Sequence, residues 1–227
     1  MSKPTKTELR TVLASYMGAR GLPTCVRLIL IMICVSSGGL RQSNALYSQD
    51  VDLIVMTNSH TTEVLKNMLE LGGGGDFYTR ASKKVGATYR ILYCKIPSLY
   101  ATRYNRSTKV DILIPGIMSI PLLSTTAIVR IDGLPALPFF ALLMLKVQGW
   151  SDHRKSDRSD YRLKQYQDVN DIDELLVIGQ QGGKKFLSEV GQLPKDFLDV
   201  GYRLLGEYVT ARGGHASWEV LGFEFSS

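Results

Sequence analysis

Three aspartates have a spacing that could do chemistry. Asp50 and Asp52 fall within Asp50-Val51-Asp52-Leu53-Ile54-Val55, and Asp111 stands alone in Lys109-Val110-Asp111-Ile112-Leu113-Ile114. Side chains alternate faces along a strand, so Asp50 and Asp52 would leave one face about 7 Å apart. Two carboxylates on one face repel unless a cation or proton intervenes, and they suit a hard divalent cation such as Mg2+. A third carboxylate from a neighbouring strand would let the site hold two metals and a polyphosphate. Ahead of them, Ser36-Ser37-Gly38-Gly39 follows the apolar run Leu28 to Val35, with ten residues between Gly39 and Asp50. Backbone amides at a small-residue turn that opens a helix can approach phosphate oxygens closely. This combination points to phosphoryl transfer.

Each piece also has a plainer reading. The Asp50/Asp52 pair could be the solvent-facing alternation of an edge strand, and Ser36 to Gly39 a simple strand-to-helix turn. Asp111 lies among apolar neighbours, where an unpaired carboxylate is costly, so a salt bridge to Arg90 competes with a metal role. Lys146 interrupts an apolar helix and either snorkels or reaches toward a triphosphate. Asp168 and Asp171 lie three apart on one helical face and are read as structural partners of Lys146 or Arg154.

These residues need elements to position them. Thr7 to Ala19 reads as a helix and Leu28 to Val35 as a short buried strand. A helix or turn then runs from Ser36 to about Leu46. Val51 to Met56 is the strand of the carboxylate pair. Thr61 to Leu71 is an amphipathic helix, with Thr61 or Thr62 near its cap and Gly72 to Gly75 ending it. Ala87 to Ile96 and Val110 to Ile114 read as strands, joined by a basic loop from Pro97 to Thr108. Ala127 to Ile131 suits an edge strand. Beyond Pro138 the pattern turns helical: Phe139 to Trp150, then a charged solvent-facing connection from Ser151 to Lys164, then Asp168 to Ile178. Lys184 to Thr210 holds one or two helices broken near Pro194, and Arg212 to Ser227 is weakly patterned.

The chain has 227 residues, of which 44% are hydrophobic and 21% charged, which suits a globule with a real core. Its net charge of +6 is unevenly spread. From Arg80 to Lys109 there are eight basic residues and no acidic one, a solvated basic face or a surface for a polyanion such as a nucleotide or nucleic acid. Three cysteines, Cys25, Cys34 and Cys94, lie in apolar surroundings without a CxxC pair, which argues against disulfides and zinc and for reduced thiols inside a cell. His60, His153 and His215 lack ligand spacing and read as ordinary surface or loop histidines. The longest apolar run falls far short of the roughly 20 residues a membrane span needs, and the N-terminus does not read as a signal peptide. The expectation is an intracellular, cytoplasmic protein with no membrane association.

The order of strand, glycine turn, helix, Asp-x-Asp strand, helix, strand and strand with a lone Asp resembles the nucleotidyltransferase superfamily, the polymerase β-like fold. Gly38-Gly39 and Asp50-Val51-Asp52 meet that family's spacing, Ser48 matches a small hydroxyl two residues before the first Asp, and Asp111 matches the third carboxylate. Leu143-Met144-Leu145-Lys146 and the segment from Lys164 to Ile172 look like the abortive-infection-type toxin branch, and like a set of uncharacterised fungal proteins with a nucleotidyltransferase-like core. The likeness runs from about Leu28 to Ile178. Two departures concern triphosphate geometry. Either Gly38-Gly39 or Ser37-Gly38 fills the phosphate position, and the arginine expected shortly before the Asp pair is absent, with Arg41 the nearest.

The resemblance implies an α/β (α+β) mixed sheet with flanking helices, a catalytic core over residues 1–132 and a helical C-terminal region over 133–227. It implies a Mg2+- (or Mn2+-) dependent enzyme that moves a nucleoside monophosphate from a nucleoside triphosphate to a hydroxyl, with two metals. Asp50, Asp52 and Asp111 would be catalytic and bind metal, while Ser37, Gly38, Gly39, Ser48 and Lys146 would bind nucleotide. RNA or another nucleic acid is the expected acceptor. The alternative is a non-catalytic nucleotide- or RNA-binding module on a degenerate version of the fold.

Overall fold

The computed structural model describes residues 30–32, 50–95, 106–131 and 134–225. The helix expected over Thr7 to Ala19 and the turn and helix from Ser36 to Leu46 lie outside the described residues. The chain divides into two compact units, one of Met1–Ile117 with Arg130–Ala136, the other of Met118–Val129 with Leu137–Ser227.

The first unit is built on a five-stranded mixed sheet of strands β1 (Leu30–Met32), β2 (Asp50–Ile54), β3 (Phe77–Ala81), β4 (Arg90–Lys95) and β5 (Ser107–Leu113), in the order β1-β2-β5-β4-β3. Only β2 and β5 pair in parallel; the other neighbours are antiparallel. A parallel pair needs a crossover, and helix α1 (Thr62–Gly72) followed by the β3–β4 hairpin supplies it. The core lies on one face of the sheet, where Val51, Leu53, Phe77, Leu92, Cys94, Val110 and Ile112 meet Leu65 and Leu69 of α1. In β5 the alternation is complete: Thr108, Val110 and Ile112 are buried while Lys109, Asp111 and Leu113 are half-buried.

Helix α1 starts where the sequence indicated. The Thr61 hydroxyl accepts from the Val64 amide, satisfying one of the first-turn donors. Its end is set by Gly73, whose amide donates to Leu69 O at 2.8 Å. Gly74 and Gly75 follow at φ +61° and +87°, a conformation that side chains resist. The chain thereby turns straight into β3, a strand the sequence reading left unassigned. The short strands β6 (Val129–Ile131) and β7 (Leu134–Ala136) pair as a separate two-stranded sheet.

The second unit is helical: α2 (Phe139–Arg154), α3 (Ser159–Gln181), α4 (Lys195–Arg212) and α5 (His215–Val220), with short 3-10 turns at Phe186–Ser188 and Val190–Gln192. The stretch from Ser151 to Lys164 is not the connection expected. Ser151 to Arg154 finish α2, residues 155–158 make a tight turn, and α3 begins at Ser159. The alternation of charges that suggested a linker is the exposed surface of a helical hairpin. The start of α2 carries no side-chain cap of its own; the Glu189 carboxylate accepts from the Phe140 amide at 2.9 Å instead. Pro194 sits just ahead of α4, where its missing N–H costs nothing. The weakly patterned tail contributes α5 and two of the largest buried side chains, Trp218 and Phe223. Among the described residues no helix is long and apolar enough to cross a membrane.

Candidate functional site

The pairing of β2 with β5 decides what the carboxylates can do. Asp52 and Asp111 are register partners across the two parallel strands, so their backbones lie about 4.8 Å apart and their side chains share a face. That face is opposite the α1-packed core, because Val51, Leu53, Val110 and Ile112 alternate with them. Asp50 occupies the register position opposite Lys109. Its side chain lies outside the described residues, as do Ser37, Gly38, Gly39 and Ser48. Among the described residues no group of three or more His, Cys, Asp or Glu side chains could hold a metal ion. The described donor set is therefore the Asp52–Asp111 pair, two hard oxygen ligands of the kind Mg2+ takes.

Asp111 does not bond Arg90. Its carboxylate accepts from the Lys109 ammonium, two residues earlier on the same strand and on the same face, and about two-fifths of its side-chain surface is exposed. Arg90 lies toward α1, where its Nε donates to Thr79 Oγ1 at 2.7 Å and its Nη2 to Thr79 O at 3.1 Å. The same threonine gives its amide and hydroxyl to Glu70, both at 2.9 Å. These two bonds, with Arg90 nearby, hold the Glu70 carboxyl below its ordinary range. The sequence reading missed Lys109 as a partner of Asp111, although the i, i+2 alternation of a strand carries that signal.

The second unit holds its own polar cluster. Lys146 of α2 donates to Asp171 of α3 at 2.7 Å, with both side chains largely buried. About two turns further along α2, His153 Nδ1 lies 2.5 Å from Asp168 Oδ2. Burial pushes the Asp168 carboxyl up from its ordinary value, and the His153 and Lys146 charges oppose that shift. Gly149, between Lys146 and His153 on α2, faces Asp168, and a methyl group there would meet the carboxylate in ordinary van der Waals contact at 3.6 Å. His153 is thus an inter-helix partner rather than an ordinary surface or loop histidine, and Arg154, offered as a partner for the aspartates, lies over the Trp150 ring instead. The signal was present in the sequence: Lys146 to His153 is a seven-residue step and Asp168 to Asp171 a three-residue step, each keeping one helical face.

No family profile matches this chain, and no curated protein does either. Among solved structures it is similar to an antigenic nucleotidyltransferase-like protein from Paracoccidioides brasiliensis, with a TM-score of 0.58 and 17% identity. The match covers 100% of this chain and 97% of that one. At that identity the likeness speaks for fold: the chain has a nucleotidyltransferase-like fold.

Proposed function

We propose that this chain is a Mg2+-dependent nucleotidyltransferase, which moves a nucleoside monophosphate from a nucleoside triphosphate to a hydroxyl and releases pyrophosphate. The observation that carries the reading is the register pairing of Asp52 with Asp111 on adjacent parallel strands, within a nucleotidyltransferase-like fold. Asp52 and Asp111, with Asp50 from the same strand as Asp52, would hold the metal. Bound there, Mg2+ would offset charge on the transferred phosphoryl group and acidify the attacking hydroxyl. Phosphoryl transfer asks the protein mainly for positioning and charge stabilisation. In this reading Ser37, Gly38, Gly39 and Ser48 hold the triphosphate. Lys146, grouped with them on the sequence, donates to Asp171 within the helical unit. The proposed acceptor is RNA or another nucleic acid, attracted by the basic run from Arg80 to Lys109.

The test is transfer of label from α-labelled nucleoside triphosphates to RNA in Mg2+ or Mn2+, comparing wild type with Asp52→Asn and Asp111→Asn. Each substitution is expected to lower the rate by at least ~100-fold, the order of magnitude for losing one preorganised charge-stabilising group. Equal labelling by wild type and both variants would remove the proposal. One observation favours the non-catalytic alternative: Lys109 already sits on Asp111, as it would where an ammonium had taken over from a metal. Calorimetry separates the two. Nucleotide binding that requires Mg2+ and fails in Asp52→Asn belongs to an enzyme, while metal-independent, steeply salt-dependent RNA binding belongs to a binding module.

A further inference from the structure

The carboxylate face of the sheet does not end at Asp111. Lys109 is the register partner of Tyr93 on β4, and Tyr93 is the register partner of Tyr78 on β3. Register partners share a face, so one row across the sheet reads Lys109, Tyr93, Tyr78 and adjoins the Asp52–Asp111 pair. The two tyrosine rings are stacked, with centroids 5.5 Å apart and planes within 15°. Arg80, two residues along β3, lays its guanidinium over both rings, 5.1 Å from the Tyr78 centroid and 5.6 Å from that of Tyr93. The Tyr78 hydroxyl donates to Ser107 Oγ at 2.9 Å, which fixes the ring from its far end.

We propose that the Tyr78–Tyr93 stack, with Arg80 across it and Lys109 beside it, is a stacking subsite for single-stranded nucleic acid that leads toward the carboxylates. Both tyrosines are half-buried while the Arg80 side chain is exposed, unlike a stack enclosed in a core. Arg80 forms no ion pair among the described residues. Its positive charge therefore remains available to a phosphate, and its plane can share a stack with a base. Aromatic faces flanked by cations are what a single strand uses, because every base has a π-face and every step a phosphate. The setting is complementary in charge, since no acidic residue interrupts the sequence from Arg80 to Lys109. Tyr93 lies on the strand next to Asp111 and Tyr78 one strand further, so the platform begins about 5 Å from the carboxylate strand and reaches about 10 Å. A strand stacked there would bring its backbone toward the proposed metal site. Its direction rests on the nucleotidyltransferase reading, but its binding does not.

The probe is a fluorescein-labelled decauridylate, U10, binding to the full chain in EDTA, followed by anisotropy over a salt series. Tyr78→Leu and Tyr93→Leu are each expected to weaken U10 on the order of tenfold or more. Arg80→Gln is expected to lower the slope of log affinity against log salt by about 0.7. Should the tyrosine variants lose their circular dichroism, Arg80→Gln, at an exposed position, still decides: an unchanged slope overturns the subsite. So do U10 affinities unaltered in folded tyrosine variants, equal binding of a U10·A10 duplex, or displacement of U10 by equimolar UTP. The two proposals fail separately. U10 binding that needs the tyrosines, with no label transfer in wild type, leaves the subsite and removes the enzyme. Transfer that needs Asp52, with U10 binding indifferent to Tyr78, Tyr93 and Arg80, does the reverse.

Discussion

A buried aspartate beside a histidine couples this fold to pH. Asp168 carries a carboxyl raised above 3.8 chiefly by burial, facing His153 and Lys146 with Asp171 beside it. Between 3.8 and that raised value the folded chain holds a proton that the unfolded chain has released. Stability then falls as pH rises through the window, because the native state binds more protons. Asp168→Asn has no such proton. We expect the stability of wild type relative to Asp168→Asn to decline as pH is raised from about 3.5 through the window, in urea titrations at successive pH values. A difference that stays flat or grows would show that the His153 bond outweighs burial. The Lys146–Asp171 pair has a different logic, since removing one partner of a buried pair leaves the other charge uncompensated.

At the scale of elements, close approach is the constraint that sequence patterns hide. Gly179 of α3 is buried, and a Cβ there would come within 2.7 Å and 2.9 Å of the Phe139 ring and 3.1 Å of Leu221. A ring at the start of a packed helix cannot retreat as a flexible chain end can. Gly179→Ala should therefore destabilise the protein by about 1–3 kcal/mol, the usual range for overpacking, despite the better helix propensity of alanine. A denaturant midpoint at or above the wild-type value would show that Phe139 has room to turn. The contact at Gly201 is milder in kind, because a Cβ there meets the Met144 side chain, which has several rotatable bonds.

The molecule as a whole offers separate reporters for its two units. Both tryptophans of the chain, Trp150 and Trp218, are buried in the helical unit. Cys94 is buried in the sheet unit, and burial, with the Asp76 charge adding, pushes its thiol up to about 12. The thiolate is the reactive form, so Cys94 should resist iodoacetamide at pH 8 until the sheet opens. Peptide mapping by mass spectrometry distinguishes it from Cys25 and Cys34. Rapid modification of Cys94 with the strand signal intact would contradict this packing. Tryptophan emission followed in the same denaturant series reports the helical unit, and agreement between the midpoints is the standard check on a single cooperative transition.

Local chemistry was legible in the chain itself. Threonine before an amphipathic run and glycines after it set the ends of α1, because capping bonds and positive φ are decided within a few residues. The strands carrying Asp52 and Asp111 were visible for the same reason: alternation is a local property of β structure. Strand β3 was not, since Phe77 to Ala81 is short, half polar and wedged against four glycines, and it exists through its pairing with β4. The α2–α3 hairpin was misread as a connection because exposed charged turns look alike on a helix and in a linker. Which strands would be neighbours was a question no local pattern could answer. Pairing β2 with β5 in parallel set Asp52 beside Asp111. The same register placed Lys109 on Asp111 and lined up Tyr93 and Tyr78 beside them. The sequence determined which residues are capable of chemistry, through side-chain type and alternation. Tertiary structure alone decided which of them meet, because cross-strand register joins residues more than fifty positions apart.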